Sequence, residues 1–119
     1  MILLDTNIVI AFFNGNKSVL KEISGQIDSI ALSVLVIAEL DYGARASQKA
    51  KENLKKLYRF VDIIQAVPFD LECAKIFGTI KSKLRKLGKP TGEMDALIAA
   101  TAMVHGTQGC YSHRQQKTF

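Results

Sequence analysis

The segment that most constrains the fold is the first one. Met1-Ile2-Leu3-Leu4 is a short apolar run, and Asp5-Thr6-Asn7 follows at once. Such a run, bounded by a polar turn into helix-forming sequence, reads as a buried strand that ends on a carboxylate. In open α/β sheets, ligands bind outside the carboxyl ends of the strands. Asp5 therefore has two readings. It caps the helix that starts near Thr6, or it sits on the sheet rim and holds a metal or a reacting group. On this segment alone both stand.

The rest of the chain repeats the pattern. Residues 6–13 (TNIVIAFF) start a helix that stops at Asn14-Gly15, and residues 17–24 form a second short one. Residues 29–32 read as a second strand, and Ser33 can cap a helix over residues 34–46. Residues 48–59 are amphipathic, with Leu54, Leu57 and Tyr58 on one face. Residues 61–67 (VDIIQAV) form a third strand ended by Pro68. A long helix spans residues 70–87 and is closed by Gly88, and an alanine-rich helix spans residues 93–105. The β–α alternation, with no repeat or linker in 119 residues, predicts one α/β domain. Its sheet is parallel, with helices on both faces.

Composition narrows the partners. Apolar residues make up 48% of the chain, so a real core is expected. No apolar run reaches the roughly 18 residues of a membrane span. The start lacks a basic region and a small-residue cleavage site, so no signal peptide is expected. Cys73 and Cys110 are far apart and match no metal spacing. They read as free thiols in a reducing cytoplasm. A net charge of +5 favours an anionic partner such as nucleic acid.

Against that basic background, two further acids are stranded in apolar helices. Glu39 lies in SVLVIAELDYGA, with Leu35 and Val36 one turn back and Tyr42 and Gly43 one turn on. An unpaired carboxylate on such a face is costly, so a cation is expected near it. Asp41 points elsewhere and is expected to be solvated. Asp95 lies in GEMDALIAATA beside Ile98, Ala99 and Ala102, near a helix N-terminus that favours its charge. Glu93 lies about 200° around the same helix and is expected to be exposed. Three carboxylates at strand–helix junctions would meet at one edge of a parallel sheet. Hard oxygen ligands without His or Cys select Mg²⁺ or Mn²⁺. Such an ion suits a phosphodiester substrate.

The ordered set ILLDTNIVI, LSVLVIAELDYGA and IKSKLRKLGKPTGEMDALIAATAMVHG resembles the PIN-domain ribonucleases, in particular the VapC-like toxins of toxin–antitoxin pairs. The resemblance covers nearly the whole chain up to Gly106. It implies a PIN-like three-layer fold with a parallel sheet of about four strands. It implies Mg²⁺- or Mn²⁺-dependent cleavage of RNA by a cytoplasmic homodimer. It also implies a cognate antitoxin lying over the active site. The family's acids fall on Asp5, Glu39 and Asp95, and its polar positions near the metal on Thr6, Asn7 and Ser33.

Residues 107–119 depart from the pattern. The family has an apolar strand and a further acidic motif there. Here the run is TQGCYSHRQQKTF, without an acid, and Ser112 or His113 stands where a fourth ligand would be. Such a tail is expected not to pair as a central strand. The alternative is a catalytically impaired PIN-like module that retains antitoxin or RNA binding. Lys81, Lys83, Arg85, Lys86 and Lys89 precede the Asp95 motif. Part of that cluster is expected to meet RNA phosphates.

Overall fold

The computed structural model describes residues 1–89 and 91–106, with the backbone of Cys110–Tyr111. Strand β1 (Ile2–Leu4) leads into α1 (Thr6–Phe13) and α2 (Lys17–Ser24). A single 3-10 turn, Ile27–Ser29, precedes β2 (Ile30–Ser33), and α3 (Val34–Arg45) and α4 (Ala50–Ile63) follow. Then come β3 (Gln65–Val67), α5 (Leu71–Lys86), α6 (Glu93–His105) and β4 (Cys110–Tyr111). The four strands form one sheet in the order β3-β2-β1-β4, and every pairing is parallel.

Strand alternation divides the core between two faces. Ile2 and Leu4 of β1, with Ile30 and Leu32 of β2, pack against Val9, Val19, Ile23, Val36, Leu40 and Leu57 from α1 to α4. Leu3, Ala31 and Val67 point the other way and meet Ala102 of α6. Helices α5 and α6 pack against each other, and α6 also touches β2 and α3. The chain is thus a three-layer α/β fold. Asn14-Gly15 and Gly88 close α1 and α5 as expected, because Gly15 (φ 81°) and Gly88 (φ 68°) take the left-handed backbone that glycine adopts without strain.

Three expectations are corrected. The third strand begins at Gln65 rather than residue 61, because α4 runs on to Ile63. Phe60 explains the extension. It stacks on Phe12 and Phe13 at centroid distances of 5.2 and 5.6 Å, and Val61 of the helix and Ile64 at its cap reach the same core. Asp41 is engaged rather than solvated. It accepts hydrogen bonds from Arg45 Nε and Tyr58 Oη, both at 2.6 Å, and so ties α3 to α4. Of the three acids, Asp5 alone stands at a strand–helix junction: Glu39 lies in the middle of α3, and Asp95 follows the loop between α5 and α6. The tail, expected not to pair as a central strand, supplies an edge strand instead. Cys110 and Tyr111 pair with Leu3 and Leu4 as the edge next to β1. Backbone pairing asks nothing of side chains, so the lack of apolar alternation did not preclude it. Ser112 and His113 lie outside the described residues.

Candidate active site

Asp5 follows β1 directly, so it stands at the carboxyl edge of the sheet. It performs the capping role. Its Oδ1 accepts the Ile8 N–H at 2.9 Å. A cap of this kind is worth about 1 kcal/mol. It uses one carboxylate oxygen.

Ser33 does the same one strand over. Its Oγ accepts the Val36 N–H at 3.1 Å, and it is buried. The register pairs Leu3 with Ala31, so continuing it sets Asp5 beside Ser33 on the rim. Ser33 fixes where α3 starts, and hence where Glu39 sits along it. Glu39 is half-buried, and its Oε1 accepts the hydroxyl of Thr6 at 2.6 Å. That bond connects the β1–α1 junction to the middle of α3, across 33 residues of sequence. Asn7, half-buried, is on the same first turn of α1.

Asp95 is exposed in the first turn of α6. Its carboxylate lies over the helix cap, where a Cβ on Gly92 would stand 3.6 Å from Oδ2. Helix α6 reaches the Glu39 side of the molecule through its contacts with α3, and Ile98 packs into the core that holds Val36 and Leu40. Glu93 is exposed, as expected, and pairs with Lys81 at 2.9 Å. Lys81 Nζ also donates to Thr91 O at 3.4 Å. Lys81 thus bridges the α5–α6 loop through an ion pair whose glutamate is largely exposed. Beside that loop is a hollow of about 570 Å³ lined by Lys81, Ser82, Leu84, Arg85 and Thr91.

The donor chemistry of Asp5, Glu39 and Asp95 fits a hard divalent cation. Each is an acid, and Asp5 and Glu39 each commit one oxygen to a bond among the described residues. The three carboxylates are not mutually within 4.8 Å. Among the described residues, the His, Cys, Asp and Glu group that meets that distance is Asp70, Cys73 and His105. Sequence reading missed this second cluster. Asp70 and Cys73 share one turn of α5, but His105 comes from another helix, and no local spacing announces it.

With this geometry in place, the chain's family is clear. Residues 2–108 match the PIN domain model, and the chain belongs to the PIN domain family. Within it, the chain is similar to "Ribonuclease VapC2" of Rickettsia felis, with 32% identity over 85% of this chain and 78% of that protein. It is also similar to "tRNA(fMet)-specific endonuclease VapC" of Shigella flexneri, with 33% identity over 87% and 80%. The fold agrees with the crystal structure of VapBC2 from Rickettsia felis bound to a DNA fragment from its promoter. The TM-score is 0.85 at 28% identity, over 97% of this chain and 90% of that one.

Proposed function

We propose that this chain is the toxin of a toxin–antitoxin pair, an endoribonuclease that cuts RNA phosphodiester bonds at the carboxyl edge of its sheet. Its relatives carry the names of ribonucleases, and its structural neighbours are complexes of such toxins with their antitoxins. The observation that carries the site assignment is the Thr6–Glu39 hydrogen bond. It draws an acid from an otherwise apolar helix face to the junction that presents Asp5.

Mg²⁺ or Mn²⁺ is proposed as the cofactor, held by Asp5, Glu39 and Asp95. When bound, it supplies Lewis acidity for the phosphate and lowers the pKa of water. The chain's own residues do the positioning. The Ile8 N–H holds the Asp5 carboxylate on the rim. Thr6 orients Glu39, and Ser33 anchors the helix that carries it. Hydrolysis then forms a bond from water oxygen to phosphorus and breaks the bond to the leaving ribose oxygen. Arg85, at the hollow beside the Asp95 loop, supplies positive charge for the RNA backbone.

A cognate antitoxin is proposed to cover this edge, and the toxin to act as a homodimer. Tyr42, one turn beyond Glu39, is 75% exposed and gives a partner an aromatic contact. The test is RNA cleavage by the purified chain with Mn²⁺, with EDTA, and after addition of its antitoxin. Cleavage confined to the first condition is expected. Equal cleavage in EDTA would overturn the metal assignment, and indifference to the antitoxin would overturn the pairing.

A further inference from the structure

A second cluster lies where α5 begins and α6 ends. Asp70 caps α5, accepting the Cys73 N–H on Oδ1 at 3.1 Å. Cys73 is fully buried and in no disulfide, and its thiol donates to Pro68 O at 4.0 Å. His105, in the last turn of α6, brings Nε2 to 3.1 Å from Asp70 Oδ2. One oxygen, one sulfur and one nitrogen thus lie within 4.8 Å of one another.

The contact between His105 and Asp70 has an unusual character. Nε2 is hidden from solvent, yet it makes no hydrogen bond among the described residues, even to the carboxylate beside it. The two atoms are close enough for an ion pair but are not aligned as a hydrogen bond. Ligands on one tetrahedral zinc, at bond lengths of about 2.0–2.1 Å, lie roughly 3.3 Å apart. The observed separation matches that arrangement.

We propose that Asp70, Cys73 and His105 form a Zn²⁺ site, separate from the carboxylates of the sheet edge, that clamps the start of α5 to the end of α6. The mixed donor set selects zinc over Mg²⁺, because thiolate and imidazole are poor ligands for a hard cation. A thiolate and a carboxylate together neutralise the dication, which suits a partly buried position. On binding, Cys73 gives its proton to solvent and its sulfur bonds the metal. The inference does not depend on the proposed ribonuclease activity.

Titration of the metal-free protein with Co²⁺ at pH 7, followed by absorption, tests the site. Sulfur ligation gives a sulfur-to-cobalt charge-transfer band, which oxygen ligands at the sheet edge cannot produce. One Co²⁺ per chain with that band is expected for the wild type and for Cys110→Ser. The band should vanish in Cys73→Ser. Zn²⁺, added as competitor, should bind more than about ten-fold weaker in His105→Gln, since loss of even an outer partner costs that much at metal sites. If Cys73→Ser does not fold, His105→Gln and Asp70→Asn decide the matter by the same competition. Absence of the band in wild type would overturn the proposal. So would a band that survives Cys73→Ser, one lost in Cys110→Ser, or Zn²⁺ affinity unchanged in His105→Gln.

Discussion

At the residue scale, Asp5 carries two jobs that substitutions can separate. Asparagine caps helices as well as aspartate does, but it lacks the charge a cation needs. Asp5→Asn should therefore abolish cleavage and leave the melting temperature nearly unchanged. Asp5→Ala should abolish cleavage and also cost about 1 kcal/mol. Thermal melts and RNA cleavage on the same samples separate the roles. An active Asp5→Asn would remove Asp5 from the catalytic site. Asp41 offers a test by pH. The hydrogen bond from Arg45, and then that from Tyr58, hold its carboxyl below the usual value of 3.8. Its contribution is therefore full above the ordinary carboxylate range and is lost as pH falls through the lowered folded value. Tyr58→Phe should destabilise the protein near neutrality, and the gap from wild type should close in strong acid. Tyr58 itself is raised above 10.0, first by its bond to Asp41. Its contribution therefore fades as pH climbs through that raised value. A gap that is constant across acid pH would contradict the assignment. These residues also mark what the sequence could and could not tell. Asp5, Glu39 and Asp95 stood out because acids are costly in apolar company. Asp41 did not: its pairing with Arg45 four residues on is a readable helical pair, but its tie to Tyr58 on the next helix follows no local pattern.

At the element scale, the strand–helix junctions were legible because each carries a local signal. Asp5, Ser33 and Asp70 all accept the N–H three residues on. Gly15 and Gly88 mark two ends by their backbone angles. The boundary between α4 and β3 was not legible. Val61, Ile63 and Ile64 suit a strand by propensity, and tertiary packing of Phe60 against α1 decided for helix. The two-residue edge strand β4 completes the expected count of about four strands, but its place was not legible, since its evidence is backbone pairing with β1. The tie between α1 and α3 is one side-chain bond, Thr6 to Glu39. Thr6→Val keeps the shape and removes the donor. Stability should fall by about 1 kcal/mol, the net value of one such bond. Cleavage should fall about 10- to 100-fold, as for other groups that orient a metal ligand. Urea unfolding and initial cleavage rates measure the two effects. Unchanged cleavage in Thr6→Val would mean that Glu39 needs no such orientation.

At the scale of the whole molecule, a basic chain surrounds an acidic edge. The +5 charge should make RNA binding weaken steeply with salt. The basic stretch before Asp95 divides into two roles. Lys81 is held by Glu93 and Thr91, whereas Lys83 and Lys86 line an open surface with Lys75 and Gly78. Replacing Lys83 and Lys86 together by glutamate should weaken RNA binding and flatten its salt dependence. Lys81→Ala removes a pair whose glutamate is exposed, so it should cost less than about 1 kcal/mol and leave the salt slope nearer that of wild type. Filter binding over a salt series distinguishes them, and equal salt slopes in wild type and the double variant would rule out that surface. The central claim is that Asp5, Glu39 and Asp95 work together as a metal-dependent RNA-cleaving site. The most direct measurement is cleavage of a defined RNA by wild type, Asp5→Asn, Glu39→Gln and Asp95→Asn across a Mn²⁺ titration. The account predicts Mn²⁺-dependent cleavage by wild type and loss in each folded variant. A wild type that cleaves without the ion, or any one of the three variants cleaving like wild type, would contradict it.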